Sequence, residues 1–396
     1  MALTDREREI VDLLRVDPLL APAEIADRLG TTRAAVNVHL SHLTRKGVLR
    51  GRGYILSEEP SAVVIGGANL DIKARSAAPA ILATSNPGSG SMAAGGVGRN
   101  IAENLARLGT PTYLVAAVGN DAMGERLLAD TSAAGVRLDH VHRSGHPTGT
   151  YTAVLDATGE LVLAVADMTA TGNLMPEHLG PLRELLAHAG LLVVDGNLST
   201  ATASHALDLA LAAGVPALFE PVSVPKAAVL APLIAADRPL FAVTPNREEL
   251  TALTGLPSGT DAELLAAAAS LHERGVAHVW VRLGSRGSLL SSVDDEPAFV
   301  PALSAAVEDV TGAGDAMLAA FAHALLAGHA PRQAVEHGTA AAALTIESAH
   351  TVRPDLSPRL LAQALAERTD RRPTPAWTRD SATPHLRPRH EHQEHQ

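Results

Sequence analysis

The chain has 396 residues, 46% hydrophobic and 19% charged, with a net charge of −11, and this length exceeds what one core usually reaches, so a large domain plus a smaller one is expected. The absence of cysteine excludes disulfides, thiolate metal sites and cysteine nucleophiles. The first residues hold no signal-peptide core and no apolar run reaches membrane-spanning length, so a cytoplasmic protein with no membrane partner is expected.

Residues 1–57 carry 9 Lys and Arg against 7 Asp and Glu, leaving 23 basic against 36 acidic residues elsewhere, so only this segment reads as a polyanion binder. Thr4 with Glu7 forms a capping-box signature, and Ile10, Val11, Leu13 and Leu14 follow at helical spacing, which predicts a helix over 5–15. Pro22 opens a second short helix that Gly30 stops, and Thr32 caps a third over 32–46 with Val36, Leu40 and Leu43 on one face. The stretch 48–56 alternates and turns like a small hairpin.

Three short helices and a basic hairpin resemble a winged helix-turn-helix DNA-binding domain. The third helix would read DNA, with Thr32, Arg33, Asn37 and Ser41 facing the major groove and Arg45, Lys46, Arg50 and Arg52 meeting phosphates. A small helical interaction domain with a solvated basic face is the plainer alternative. The domain division expected is 1–57, a linker at 58–60, a large domain at 61–368 and a disordered tail at 369–396, which is rich in Pro, Arg and His. The tail histidines offer weak metal binding at most, and His178, His188 and His323 show no ligand spacing.

In the large domain, short apolar runs at 61–67, 113–118, 190–194, 216–219, 241–244 and 279–283 alternate with helical Ala/Leu patterns. That rhythm predicts an α/β fold, a mainly parallel sheet with helices on both faces and ligands at the carboxyl ends of its strands. Stretches 72–94 and 149–167 break the rhythm and read as a small β lid.

The candidate chemistry lies at the strand ends. Asn69 and Asp71 stand on one side of an extended segment and suit vicinal hydroxyls, although alone the pair reads more simply as a turn cap. Gly95, Gly96 and Gly98 lead to a helix start at which Asn100 can enter the same pocket. This pattern could also mark a dinucleotide site, but no clear strand directly precedes it. Asn246 and Glu249, three apart at another strand end, can address a metal hydration shell or simply cap a helix. The stretch from Arg282 through Gly284 to Gly287 supplies a glycine-containing turn. In the run 309–316, Gly312, Ala313 and Gly314 form a turn whose amides can hold an anion at a helix start, and Asp315 behind it is placed to accept a hydroxyl proton. A glycine-rich turn with an Asp cap is the bland reading of that run.

From residue 63 to about 365 these motifs, in this order, resemble the ribokinase-like (PfkB) carbohydrate and nucleoside kinases. Ser85-Asn86-Pro87-Gly88, the run 95–100, the run 195–199 and Pro221-Val222-Ser223 look most like pseudouridine kinases, some of which carry an N-terminal helix-turn-helix. The resemblance implies ATP-dependent phosphorylation of a ribosyl 5′-hydroxyl with Mg²⁺, K⁺ as a stimulating monovalent cation, and a lid able to form a homodimer interface. Asp315 would be the base and 312–314 the anion hole. Asn69, Asp71, Gly96 and Asn100 would hold the ribosyl group, with Ser85 and Asn86 offered to the base. Asn246, Glu249, Arg282, Gly284, Gly287 and Thr311 would serve ATP, Glu249 meeting Mg²⁺ through water. Asp309 with Thr311 would lie beside the monovalent cation. Where many relatives have Lys, this chain has Arg282. A kinase for another nucleoside or a pentose, and a transcriptional regulator using the domain as a ligand sensor, are the rival readings.

Overall fold

The computed structural model describes residues 3–49 and 60–370. The N-terminal unit has α1 (Asp5–Val16), α2 (Pro22–Arg28) and α3 (Arg33–Arg45). Glu7 N–H donates to Thr4 Oγ1 (3.3 Å) and Thr4 N–H to Glu7 Oε2 (2.7 Å), while Thr32 Oγ1 accepts from Ala35 N–H. Ile10, Leu14, Ile25, Val36, Leu40 and Leu43 close a common core, each worth about 1.5–3 kcal/mol relative to exposure. The expected wing lies almost wholly outside the described residues, as does the tail beyond 370.

In the large unit the strands are β1 (Ser61–Ile65), β2 (Asn69–Ser76), β3 (Gly88–Gly95), β4 (Thr112–Val115), β5 (Ala117–Gly119), β6 (His142–Ser144) and β7 (Thr150–Leu155). They continue as β8 (Leu161–Asp167), β9 (Ala189–Asp195), β10 (Ala217–Glu220), β11 (Leu240–Val243), β12 (Val276–Arg282), β13 (Ser288–Ser292) and β14 (Ala298–Val300). The main sheet has the order β14-β13-β12-β11-β10-β9-β1-β4. It is parallel except where β13 pairs antiparallel with β12 and β14. Both faces are covered, because Val63, Ile65, Leu192, Val194, Phe219 and Val243 belong to one core and Ala62, Val64, Leu191, Val193, Leu218 and Ala242 to the other. Helix Ala313–Leu326 lies on the second face, with Phe321 against Trp280.

The lid is a separate sheet of order β3-β2-β7-β8, β2 running parallel to β7 and antiparallel to β3. The mainly parallel sheet is as expected, with the antiparallel strands β13 and β14 at one edge. Two expectations need correction. The run 113–118 is two strands broken at Ala116, the second pairing with β6. A strand, β3, does directly precede the glycine motif before α4 (Val97–Arg107), but it belongs to the lid. Its sequence, Gly-Ser-Gly-Ser-Met-Ala-Ala-Gly, lacks the β-branched and aromatic residues that identify strands. Among the described residues no helix is long and apolar enough to cross a membrane.

Candidate active site

Strand β2 leaves the main domain carrying Asn69 and Asp71 two residues apart on one face, and Asn69 Nδ2 donates to Asp71 Oδ1 (2.8 Å). Burial raises the pKa of Asp71 above the usual carboxylate range, and the Asn69 bond opposes it. A Cβ on Gly95 would sit 2.6 Å from Asp71 Cγ, so this glycine, which pairs with Asn69 across the strands, leaves room for the Asp71 carboxylate. Gly96 then turns the chain into α4 with φ 97°, and a Cβ there would approach Ala68 Cα to 2.7 Å, which keeps the α4 start against the end of β1.

Asn100, in the first turns of α4, is oriented by its neighbour. Arg99 Nη1 donates to Asn100 Oδ1 (2.8 Å) and to the Ala94 carbonyl (3.0 Å), so the Asn100 amide group faces Asp315 and Nδ2 donates to Asp315 Oδ2 (2.8 Å). Arg99 is itself buried and paired with Glu103. Burial and then Arg107 lower its pKa to about 10, leaving it a cation at neutral pH.

Gly312 stands at φ 81° immediately before helix Ala313–Leu326, and a Cβ there would run into the Thr351 carbonyl. No side chain caps this helix; the Ala313 N–H donates to the Val310 carbonyl (3.3 Å), which leaves the Gly314 and Asp315 amides of the first turn at the positive end of the dipole, a cradle that fits an anion such as a phosphate. Asp315, in that first turn, is pushed up to about 7. Burial is the main cause, the Glu220 and Asp195 charges add to it, and the Asn100 bond and Arg282 oppose it. A carboxylate with this pKa is matched to proton abstraction near neutral pH.

Arg282, at the end of β12, lies against the same turn, because a Cβ on Gly314 would meet its Nη1. Its Nη2 donates to Glu220 Oε1 (2.7 Å) and Glu249 Oε2 (3.0 Å). Burial works against its charge, but Glu220 and Glu249 outweigh it. Asn246 and Glu249 form a capping box on helix Arg247–Thr254, Glu249 N–H donating to Asn246 Oδ1 and Asn246 N–H to Glu249 Oε2, both at 2.8 Å. The capping geometry is therefore real, and it leaves Glu249 buried beside Arg282. Gly284 and Gly287 shape the β12–β13 turn, in which Leu283 N–H donates to the Gly287 carbonyl.

Asp309 Oδ1 accepts from Thr311 N–H (2.8 Å) and Oγ1–H (2.6 Å), while Oδ2 lies 3.6 Å from Lys73 Nζ. A K⁺ ion at this carboxylate would share it with an ammonium of like charge, so the expected cation fits poorly there.

The structure thus brings together Asn69 with Asp71, Asn100 with Asp315, and Arg282 with Glu249 and Gly314. Ser85 and Asn86 are not joined to them. They lie in the loop beyond the far end of the β2–β3 pair, seven strand residues from Asn69, roughly 20 Å. Asn86 is spent on its own loop, accepting from Ile81 N–H (2.9 Å) and donating to the Ile81 and Thr84 carbonyls. On the N-terminal unit, Thr32, Arg33, Asn37, Ser41 and Arg45 are exposed. Lys46 is not offered to phosphates, because its Nζ donates to the buried Glu7 Oε2 (2.6 Å). Arg50 and Arg52 lie outside the described residues.

The sequence reading passed over Glu220 and gave Arg99 and Asp195, though they lie in the runs 95–100 and 195–199, no role of their own. Asp195 ends β9, fully buried, accepting from Gly67 N–H (2.9 Å) and Asn197 N–H (2.8 Å), and its pKa is raised by that burial. Glu220 ends β10 and accepts from Thr244 Oγ1 (2.6 Å). The available signal was an acid closing an apolar strand, which places it at the ligand-binding edge of a parallel sheet.

Residues 59–357 match the model of the pfkB family of carbohydrate kinases, and residues 3–50 match a winged helix-turn-helix DNA-binding domain. An uncharacterized sugar kinase, YeiI, of Escherichia coli strain K12 is 35% identical over 358 residues, covering 90% of this chain and 97% of that protein. The pseudouridine kinase of the same organism is 33% identical over 303 residues, covering 76% and 95%. The structure of Arabidopsis thaliana ribokinase complexed with ribose and ATP superposes with a TM-score of 0.70 at 29% identity, covering 78% of this chain and 99% of that one.

Proposed function

Because the chain belongs to the pfkB family of carbohydrate kinases, and is thus a phosphotransferase with an alcohol acceptor, we propose that it phosphorylates the ribosyl 5′-hydroxyl of pseudouridine at the expense of ATP. The observation that carries this reading is the Asn100–Asp315 bond, which joins the sugar-side helix to the acid behind the anion turn. The likeness to the pseudouridine kinase of Escherichia coli supports the choice of nucleoside.

Asn69, Asp71 and Asn100 accept and donate to the ribosyl hydroxyls, Gly96 letting the sugar lie against the backbone. Asp315 takes the 5′-hydroxyl proton onto its carboxylate, and the amides of 312–314 with Arg282 hold the negative charge that develops at the turn. Bound Mg²⁺-ATP supplies the phosphoryl group. Arg282, Gly284, Gly287, Thr311 and the Asn246–Glu249 pair would hold it, Glu249 being the residue that would serve Mg²⁺, whose charge would polarise the transferring phosphoryl group. Closure of the lid excludes water that would otherwise take the phosphoryl group. Ser85 and Asn86 are left out of the pocket for the reason given above.

The N-terminal unit binds DNA through Thr32, Arg33, Asn37, Ser41 and Arg45, and the division into units at 1–57 and 61–368 belongs to the same proposal. Two copies pair through the lid, whose strand β8 exposes Leu161, Leu163 and Val165.

A panel of pseudouridine, uridine, other nucleosides, ribose and deoxyribose, read by ADP release, tests the assignment. Pseudouridine should give the highest kcat/KM. A higher value for a free pentose or another nucleoside would replace it as the substrate.

A further inference from the structure

Strand β2 carries Asn69, Asp71 and Lys73 at i, i+2 and i+4, a single row on one face of the lid. The row does not end in solvent. Lys73 Nζ lies 3.6 Å from Asp309 Oδ2, the two side chains being 44% and 29% exposed. The other oxygen of Asp309 holds both the amide and the hydroxyl of Thr311, the residue immediately before Gly312. One carboxylate therefore connects the strand that carries the sugar-facing pair to the turn that opens helix Ala313–Leu326. The other cations around the site are tied within the main domain: Arg282 to Glu220 and Glu249, Arg99 to Glu103, and Lys226 to Asn197.

We propose that Lys73 is a positioning residue for phosphoryl transfer, its ammonium holding Asp309, and through it the Thr311–Gly312 turn, in register with Asn69 and Asp71 on the lid. The inference rests on the kinase reading above and extends it. The reaction needs the sugar hydroxyl and the anion cradle aligned at one point, yet the hydroxyl is held partly by the lid and the cradle by the main domain. Small misplacements at such a point are costly to rate. A charge contact across the seam fixes the two relative to each other without touching the reacting atoms. The ammonium also stands at the carboxylate where the family resemblance places K⁺, so the positive charge needed there comes from the chain itself.

Full-length Lys73→Met and Lys73→Arg test this. A partly exposed ion pair adds little to stability, so both variants should melt within a few degrees of the wild type. With whichever acceptor the wild type turns over best, Lys73→Met should lose about tenfold in kcat, with little change in the KM of the acceptor, and Lys73→Arg should recover most of the loss. KCl should stimulate Lys73→Met, relative to tetramethylammonium chloride at equal ionic strength, and leave the wild type nearly unchanged. Hydrogen exchange over residues 305–314 of the unliganded protein supplies a readout independent of turnover. Lys73→Met should exchange faster there, and Lys73→Arg at the wild-type rate. Wild-type kcat together with wild-type exchange in Lys73→Met would overturn the proposal, as would an equal loss of kcat in Lys73→Arg. Should the wild type phosphorylate no acceptor, the kinase reading fails by itself, and the exchange measurement still decides whether Lys73 holds the turn.

Discussion

Asp315 owes its raised pKa to its surroundings: burial first, then the nearby Glu220 and Asp195 charges, bring it to about 7. A base must be ionised to take a proton, so kcat should rise with pH through about 7 and level off above it; a profile flat from pH 5.5 to 8.5 would remove Asp315 from that role. The same shift has a stability consequence of opposite sense to a salt-bridged carboxylate. A folded-state pKa raised above its ordinary value costs nothing at low pH, where the acid is protonated in both states. The cost grows as the unfolded chain ionises above pH 3.8 and is complete above about 7. Asp315→Asn should therefore melt higher than the wild type at pH 8, and the advantage should vanish near pH 4; an advantage of equal size at both would contradict this. At Gly312 the backbone requirement is stricter, and Gly312→Ala should destabilise by at least about 1 kcal/mol in urea unfolding, since a positive φ and the Thr351 carbonyl both oppose a Cβ. Asp315, Asn100 and Asp71 were legible in the sequence because glycines mark the turns that present them. Arg99 and Glu220 were not, because their value comes from partners the fold supplies: Asn100 held toward Asp315, 215 residues away, and Arg282, 62 residues from Glu220.

Helix starts were the most readable elements, since Thr4, Thr32 and Asn246 each cap the helix that follows with a local hydrogen bond. Parallel strands were readable as apolar runs. The lid was read as two stretches, but β3 escaped, because its stability comes from pairing along the whole of β2 rather than from its own residues. At the end of α3, Lys46 looked like a phosphate contact because the sequence cannot show that Glu7, 39 residues earlier, folds against it. The Lys46 bond, followed by the Thr4 amide, lowers the Glu7 pKa to about 2. A depressed carboxylate stabilises above its unfolded pKa and loses that contribution as pH falls through the folded one. Glu7→Gln should thus speed hydrogen exchange in α1–α3 at pH 7, with the difference from wild type fading toward pH 2; a difference that persists undiminished in acid would show that the ion pair is not its source. On the lid, Leu163→Glu with Val165→Glu should shift the protein from dimer to monomer in sedimentation. A dimer that survives both charges pairs through another surface.

On the scale of the whole molecule, a DNA-binding unit and a kinase share one chain, so ligand occupancy and DNA affinity become linked if the two units exchange any free energy. Operator affinity measured with and without pseudouridine and ATP reads that linkage, and the regulatory reading predicts at least a fivefold change; identical affinities under every ligand would leave the units independent. The order of motifs along the chain carried the family assignment, which matches at 59–357 and 3–50 then made plain. The acceptor was less legible, since the pocket chemistry of a ribosyl group is shared by many nucleosides. The central claim is chemical and local: one carboxylate, behind an uncapped helix start, takes the proton of the sugar hydroxyl. It is met most directly by single-turnover transfer from radiolabelled ATP to pseudouridine in wild type and Asp315→Asn, with nucleoside affinity measured separately by calorimetry. The account predicts a rate lower by roughly 10³-fold or more with affinity nearly unchanged, and transfer within tenfold of wild type in the variant would contradict it.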